Sequence, residues 1–166
     1  MANDSIEQII KSIFNELRTQ GIILINSIID QHDDYSRQFA KSLIADFYNS
    51  YTPSVYIRKY DLYEGIQYVN EELKLDASEL SPFNSGVDPE TVLNMIGNGI
   101  RFYLPWSGKI MRYTISGLSI NMGAIGTFNY SGNIRNGINA WNTRGKEMFV
   151  NYFDKQINIL LNEYLY

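Results

Sequence analysis

The sequence predicts an α+β fold: long N-terminal helices and a C-terminal helix packed on a small, mostly antiparallel sheet, with a long Gly- and Asn-rich loop or arm. Three observations lead there. Apolar residues recur at steps of three and four over residues 4–49 and again over 144–163. Short runs at 66–71, 109–116 and 118–122 alternate apolar and polar, the period of a half-buried strand. Seven of the 12 glycines lie beyond residue 105, among Asn121, Asn129, Asn133, Asn136, Asn139 and Asn142.

The length of 166 residues suits one domain spanning 1–166. It divides into a helical part (1–50), a sheet with a short helix and an extended arm (51–142), and a C-terminal helix (143–166). Ile6, Ile9, Ile10, Ile13, Leu17, Leu24, Ile25 and Ile28 make a helix over 4–30 whose apolar stripe reads as core, with Asp4 or Ser5 as its cap and a bend allowed at Gly21. Gln31-His32-Asp33-Asp34 interrupts the stripe as a surface turn. A second helix over 35–49 follows, carried by Tyr35, Phe39, Leu43 and Phe47; the two are otherwise one helix with a kink. Pro53 stops it near Asn49.

A first strand is expected at 66–71, and surface loop over 72–88. Asp88-Pro89-Glu90 starts a helix, with Asp as cap, Pro in the first turn and Gly97-Asn98-Gly99 at its end. Strands follow at 109–116 and 118–122, forming a hairpin or bulged ribbon about Gly117, with one more at Phe128 and Tyr130. The glycine-rich run over 105–142 is long for a compact domain and reads either as an arm ordered against a neighbouring subunit or as an ordinary sheet with long turns. The last helix, 144–163, is capped by Asn142 or Thr143.

Composition narrows the chemistry. No cysteine is present, which removes disulfides, thiolate zinc sites and cysteine nucleophiles. The first residues lack a basic region before an apolar core, so no signal peptide is expected, and no apolar run is long enough to cross a membrane. Thirteen tyrosines suit half-buried surfaces and interfaces. Residues 1–90 carry 7 Lys and Arg against 15 Asp and Glu, while 91–166 carry 7 against 3. An acidic first half and a basic second half favour pairing of copies.

Candidate reaction centres are thin. His32, the one histidine, sits beside Asp33 and Asp34, a sparse set for a metal or a hydrolytic site. Adjacent acids such as Asp33/Asp34 or Glu71/Glu72 do not face each other on a regular element. The pair Gly97 and Gly99 lacks the rest of a phosphate loop. Lys109, Arg112, Arg135, Arg144 and Lys146 lie among Tyr113, Phe128, Tyr130 and Trp141, a mixture that fits an interface or loose contact with passing DNA. No enzyme, metal or cofactor is expected.

The stretch from Tyr51 to Ile66 joins the two compositional halves. Arg58 has hydrogen-bond acceptors nearby in Asp61 and Glu64, and Leu62 and Ile66 are four apart. With Tyr51, Pro53, Tyr56, Arg58, Leu62 and Ile66 the stretch resembles the tail-completion and head–tail joining (neck) proteins of long-tailed phages, over about residues 40–70. Lys59 stands where that family usually has Thr, and Gly65 where it usually has Ser. The resemblance implies a non-enzymatic virion protein made in the host cytoplasm. Copies would form a ring between the head connector or portal adaptor and the tail proteins, with DNA passing through and no membrane involved. Arg58 would lock the corner, with Tyr51, Tyr56 and Leu62 seating it on the first helices. A minor capsid or tail-terminator protein is the nearest alternative; a small metal-dependent hydrolase using His32, or a nucleic-acid-binding module, are the others.

Overall fold

The computed structural model describes residues 2–50, 61–80, 88–99, 101–104 and 109–165. It is an α+β structure. Helix α1 (Ala2–Asn49) is followed by a 3-10 turn (Asp61–Gly65), strands β1 (Ile66–Val69) and β2 (Glu72–Leu75), and helix α2 (Pro89–Asn98). Strands β3 (Phe102–Leu104), β4 (Lys109–Met111), β5 (Ile115–Asn121) and β6 (Thr127–Gly132) come next. Helix α3 (Ile134–Ala140), a π-helical turn (Trp141–Gly145) and helix α4 (Lys146–Leu165) complete the order. Among the described residues the strands pair as three antiparallel ladders, β1–β2, β3–β4 and β5–β6.

Helix α1 has 48 residues, a length of about 72 Å. The predicted break at Gln31–Asp34 is absent, and Gly21 does not interrupt the helix. These polar residues each cost only a few tenths of a kcal/mol in helix propensity, and tertiary contacts offset that. His32 and Ser36, 7% and 0% exposed, point into the core, and Asp33 accepts from the Tyr68 hydroxyl. From Ile28 onward the buried positions Ser36, Phe39, Ala40, Leu43, Ile44, Phe47 and Tyr48 keep the same three- and four-residue steps. Ser50 closes the helix by donating its hydroxyl to the Phe47 carbonyl, 2.6 Å away.

The segment expected as surface loop after residue 71 is corrected: β2 folds back on β1 in the register Ile66↔Leu75, and Leu73 is buried. Asn70 and Glu71 both take positive φ, as a two-residue hairpin turn requires. Helix α2 starts as its residues predict. Asp88 accepts from the Thr91 N–H at 3.0 Å, Pro89 opens the first turn, and Gly99 ends the helix in the left-handed region.

The arm expected over 105–142 is also corrected where it is described. Residues 115–142 fold into the β5–β6 hairpin and the helical run after it, with Ile115, Ile120, Phe128, Ile134 and Ile138 buried. Strand β5 pairs with β6 rather than folding back at Gly117; the ladder is irregular between Ile115 and Leu118 instead. The asparagines work locally. Asn133 caps α3 by accepting from the Asn136 N–H at 2.8 Å. Asn142 neither caps a helix nor turns the chain: its Nδ2 donates to the Leu73 carbonyl at 2.8 Å, and its Oδ1 accepts from the Leu73 N–H at 2.9 Å. It thus completes the outer edge of β2. The helical run that contains the helix expected from 144 therefore begins ten positions earlier, at Ile134, capped at Asn133.

Trp141 is the hub of the core, 0% exposed. Its ring stacks on Phe39 with centroids 4.8 Å apart and meets Phe128 edge-on at 5.0 Å. Its Nε1–H donates to the Ser36 hydroxyl at 2.9 Å. Close approach explains part of the glycine content: a Cβ on Gly137 would lie 2.9 Å from the Tyr130 ring, and one on Gly145 would lie 3.0 Å from Trp141.

Two substitutions test this packing from opposite directions. Gly137→Ala forces the Tyr130 ring to move and is expected to lose about 1–2 kcal/mol even after its gain in helix propensity. Gly21→Ala, whose new Cβ meets nothing within 4 Å among the described residues, is expected to gain about 0.5–1 kcal/mol. Urea denaturation beside the wild type reads both signs. Asn142→Leu leaves both backbone groups of Leu73 unpaired and is expected to cost about 1–3 kcal/mol, read in the same titration.

Candidate functional site

Of the residues that carry the phage-neck resemblance, Tyr51, Pro53, Tyr56 and Arg58 lie outside the described residues. Leu62 and Ile66 are buried, at 4% and 7% exposure. The Leu62 N–H donates to the Tyr48 hydroxyl at 3.2 Å, and the Tyr48 and Tyr63 rings lie 5.5 Å apart. These contacts seat the 3-10 turn on the last turns of α1. Gly65 sits under α2: a Cβ there would lie 2.9 Å from Leu93 Cδ1. A serine at this position would therefore displace the Leu93 side chain.

His32 is not in a surface turn. Its ring stands edge-on to Phe149 at 5.0 Å and stacks near Trp141 at 6.4 Å. The Tyr68 hydroxyl donates to Asp33 Oδ1 at 2.5 Å, so its oxygen accepts from His32 Nδ1–H at 3.0 Å; the tautomer follows from that bonding. Among the described residues, Nε2 is buried without a partner. A protonated imidazole would place a second N–H there with no acceptor. Burial holds the histidine pKa below its usual value, with the Lys146 charge adding to the effect. Burial also pushes the Tyr68 phenol up, with the hydrogen bond to Asp33 adding to it. Ser36 is fully buried and occupied by Trp141, and Asp33 holds Tyr68 rather than the imidazole. The three polar side chains thus form a tie between α1, β1 and the π turn. Among the described residues, no three His, Asp or Glu side chains come together as a metal would need. An open groove of about 870 Å³ runs along α1 past Asp34, Arg37, Lys41, Tyr63 and Tyr68.

The basic residues are dispersed over separate contacts. Arg112 Nε donates to the Gly99 carbonyl at 3.0 Å. Arg135 donates to Asn98 and Asn94, both at 2.7 Å, and so clamps the end of α2 to α3. Arg144 lies over the Phe128 ring at 5.4 Å. Lys146 reaches Glu71 at 3.4 Å, an exposed pair worth little. Lys109 stands opposite Leu104 in the β3–β4 ladder. The aromatic residues named with them as base-stacking candidates are interior: Tyr113, Phe128, Tyr130 and Trp141 are all 9% exposed or less.

The larger correction concerns the isoleucine stripe. Ile6, Ile9, Ile10, Ile13 and Ile25 are exposed by 38–57% and are not core. Only Ile28 in the predicted stripe is buried, with Leu17 and Leu24 half-buried. Helix α4 explains where cover begins. Phe149, near its start, packs on Tyr35 and His32, whereas Tyr164, near its end, lies near Glu16. The helices are therefore antiparallel, and α4 runs level with α1 from about Tyr35 back to Glu16. Residues 2–15 extend past it by about 20 Å. Phe14, Ile22, Ile23 and Ile29 are likewise exposed on α1, and Val150, Ile159 and Leu161 on α4. Periodicity marked these positions as apolar in register; it carried no signal of what lies against them.

The neutral, buried histidine has a consequence for stability. Its pKa is lower in the folded chain than the unfolded value near 6.5, so the unfolded chain binds the extra proton first. Stability is full above about pH 6.5 and falls as pH drops toward the folded value. His32 is the chain's one histidine, so thermal unfolding between pH 7.5 and 5.5 isolates it. The midpoint is expected to fall across this window in the wild type and to stay nearly flat in His32→Phe. Equal slopes would remove this account.

Comparison of the chain with protein-family models, with curated proteins and with solved structures finds no match.

Proposed function

We propose that this chain is a structural virion protein of a tailed phage: a ring-forming neck or tail-completion subunit that joins the head connector to the tail, with DNA passing through. The observation that carries the assembly part is the apolar surface of α1 and α4. Large apolar side chains at 38–67% exposure crowd two helices of one small chain, and surface of that extent marks a protein partner. The resemblance around Leu62 and Ile66 supplies the phage assignment. The uneven charge of the two halves supports repeated contact between copies, since a closed ring needs two different complementary faces on each subunit. On this reading the subunit is made in the host cytoplasm and ends in the particle, and any contact with passing DNA is electrostatic and independent of sequence.

Deleting the gene from its phage tests the role. Filled heads and separate, complete tails are expected, with infectivity restored by the wild-type chain supplied from a plasmid. Electron microscopy of tagged particles should place the protein at the head–tail junction. A position at the far tail end or in the shell would assign it as a tail-terminator or minor capsid protein instead. Particles that join normally without it would overturn the proposal.

A further inference from the structure

Antiparallel α1 and α4 make a two-helix hairpin, and helical geometry places its exposed residues. The ridge of α1 that meets α4 contains Leu17, Leu24 and Ile28; the ridge of α4 that meets α1 contains Phe149 and Leu160. Taking about 100° per residue, Ile22, Ile25 and Ile29 lie roughly 80–140° round α1 from its ridge. Exposed Val150 and Leu161, with half-buried Ile157, lie roughly 80–120° round α4 in the same rotational sense. In an antiparallel pair, equal rotation in the same sense brings both sets to one side. Their heights overlap as well. With Phe149 packed on Tyr35 and Tyr164 near Glu16, Ile157 comes level with about Ile25 and Leu161 lies within a turn of Ile22, while Val150 stands between one and two turns beyond Ile29. One broad side of the hairpin is therefore a continuous apolar face, while Ile23 and Ile159 fall on the other.

We infer that this face docks onto the same hairpin of a second copy of this chain. Two features favour a copy over other occupants. Eight large apolar side chains that are 38–57% exposed belong to this surface: Ile22, Ile25, Ile29, Val150 and Leu161 on the face, and Ile6, Ile10 and Ile13 beyond the end of α4. At roughly 150–200 Å² each when fully exposed, they leave on the order of 600 Å² of apolar surface in water, the upper end of a typical monomer's largest patch of roughly 300–600 Å², and with a polar rim they approach the roughly 800 Å² per partner of a standard stable interface. A two-helix layer apolar on one side is half of a four-helix bundle, the arrangement that buries such a face with no further element. Charge opposes the pairing modestly: residues 4–30 carry four acidic against two basic side chains and residues 146–163 three against two, a like charge on each copy that salt screens. The stripe Ile6, Ile10 and Ile13 continues the ridge that α4 covers lower down, so the second copy also gains a surface beyond the end of α4.

The inference uses only the self-assembly part of the function proposed above. Sedimentation velocity of the full chain from about 1 to 100 µM is expected to show dimers or larger species. Ile25→Asp with Leu161→Asp should weaken association at least tenfold, while Ser12→Asp, an exposed polar position on the other side of α1, should leave it unchanged. Near-ultraviolet dichroism of the Trp141 core reports whether the variants fold. If the double variant fails to fold, single cysteines decide, because the chain has none of its own. Ile25→Cys, Ile29→Cys or Leu161→Cys should join pairs of chains through a short bis-maleimide, and Ser12→Cys should not. A monomer at every concentration, association indifferent to these positions, or a monomer that binds phospholipid vesicles through them would each overturn the inference. Association through this face in a protein absent from phage particles would retire the neck assignment alone; a monomer found at the junction would retire the docking face alone.

Discussion

The structure depends on one buried side chain, Trp141. An indole N–H withdrawn from water with no acceptor costs about 1–3 kcal/mol, so the ring can occupy the core only where an acceptor waits. Ser36 of α1 is that acceptor at 2.9 Å. The bond fixes the π turn against α1, and the stacked and edge-on contacts with Phe39 and Phe128 fix the β5–β6 hairpin against both. Once the indole is seated, the next residue along points to β2, where Asn142 meets both backbone groups of Leu73. Gly145, one turn on, keeps clear of the ring that a Cβ would strike. Three parts of the chain far apart in sequence are thus held by two adjacent residues, and the widened turn lets these residues serve different neighbours.

His32 belongs to the same system and shows what the arrangement costs. Its ring fills the space between Trp141, Phe149 and Tyr68, yet among the described residues only one of its nitrogens finds a partner. A neutral imidazole with an unpaired lone pair is tolerable there; a cation is not. The Tyr68–Asp33 bond orients the tautomer that leaves the acceptor atom, rather than a donor, without a partner. Polar residues in the middle of a helix thus become a reason for its continuity, because their partners lie on β1.

That explains which parts of the fold were legible beforehand. Helix α2 was, because its signals are local: the Asp88 carboxylate, Pro89 and Gly99 act within a few bonds of where they stand. The strands expected at 109–116, at 118–122 and about Phe128 and Tyr130 were legible as extended chain but not in their bounds or partners: the first stops at Met111 and β5 runs through Gly117, since alternation gives a period and says nothing of which ladder forms. Residues 31–34 misled because helix breaking was judged from side-chain polarity, whereas Asp33 and His32 find acceptors and donors on a strand more than thirty residues away. Asn142 misled in the same way: its amide looked like a cap for the nearest helix and serves a distant backbone. The glycines after residue 105 read as looseness, although Gly137 and Gly145 mark tight packing against Tyr130 and Trp141. Of the candidate site, the apolar residues of α1 were legible one by one, but their exposure was not, because a helical stripe looks the same whether its cover comes from the same chain or another.

That ambiguity has an energetic side. Isolated helices shorter than about 12–15 residues are marginal in water, and most helical stability in proteins comes from packing an amphipathic face. Residues 2–15 of α1 lie beyond the end of α4 and have that marginal length. One exposed intrahelical pair, Lys11 with Glu7 at 2.6 Å, adds a few tenths of a kcal/mol. Within the protomer, the support for this segment comes through the helix it continues, from the covered turns around Leu24 and Ile28. Covering Ile6, Ile10 and Ile13 would bury apolar surface at about 25 cal/mol per Å² and convert a borrowed helix into a packed one. Order in this end of α1 and attachment of a partner are therefore coupled through the same three side chains, so the segment with the least support inside the protomer is also the one with the most to gain from assembly.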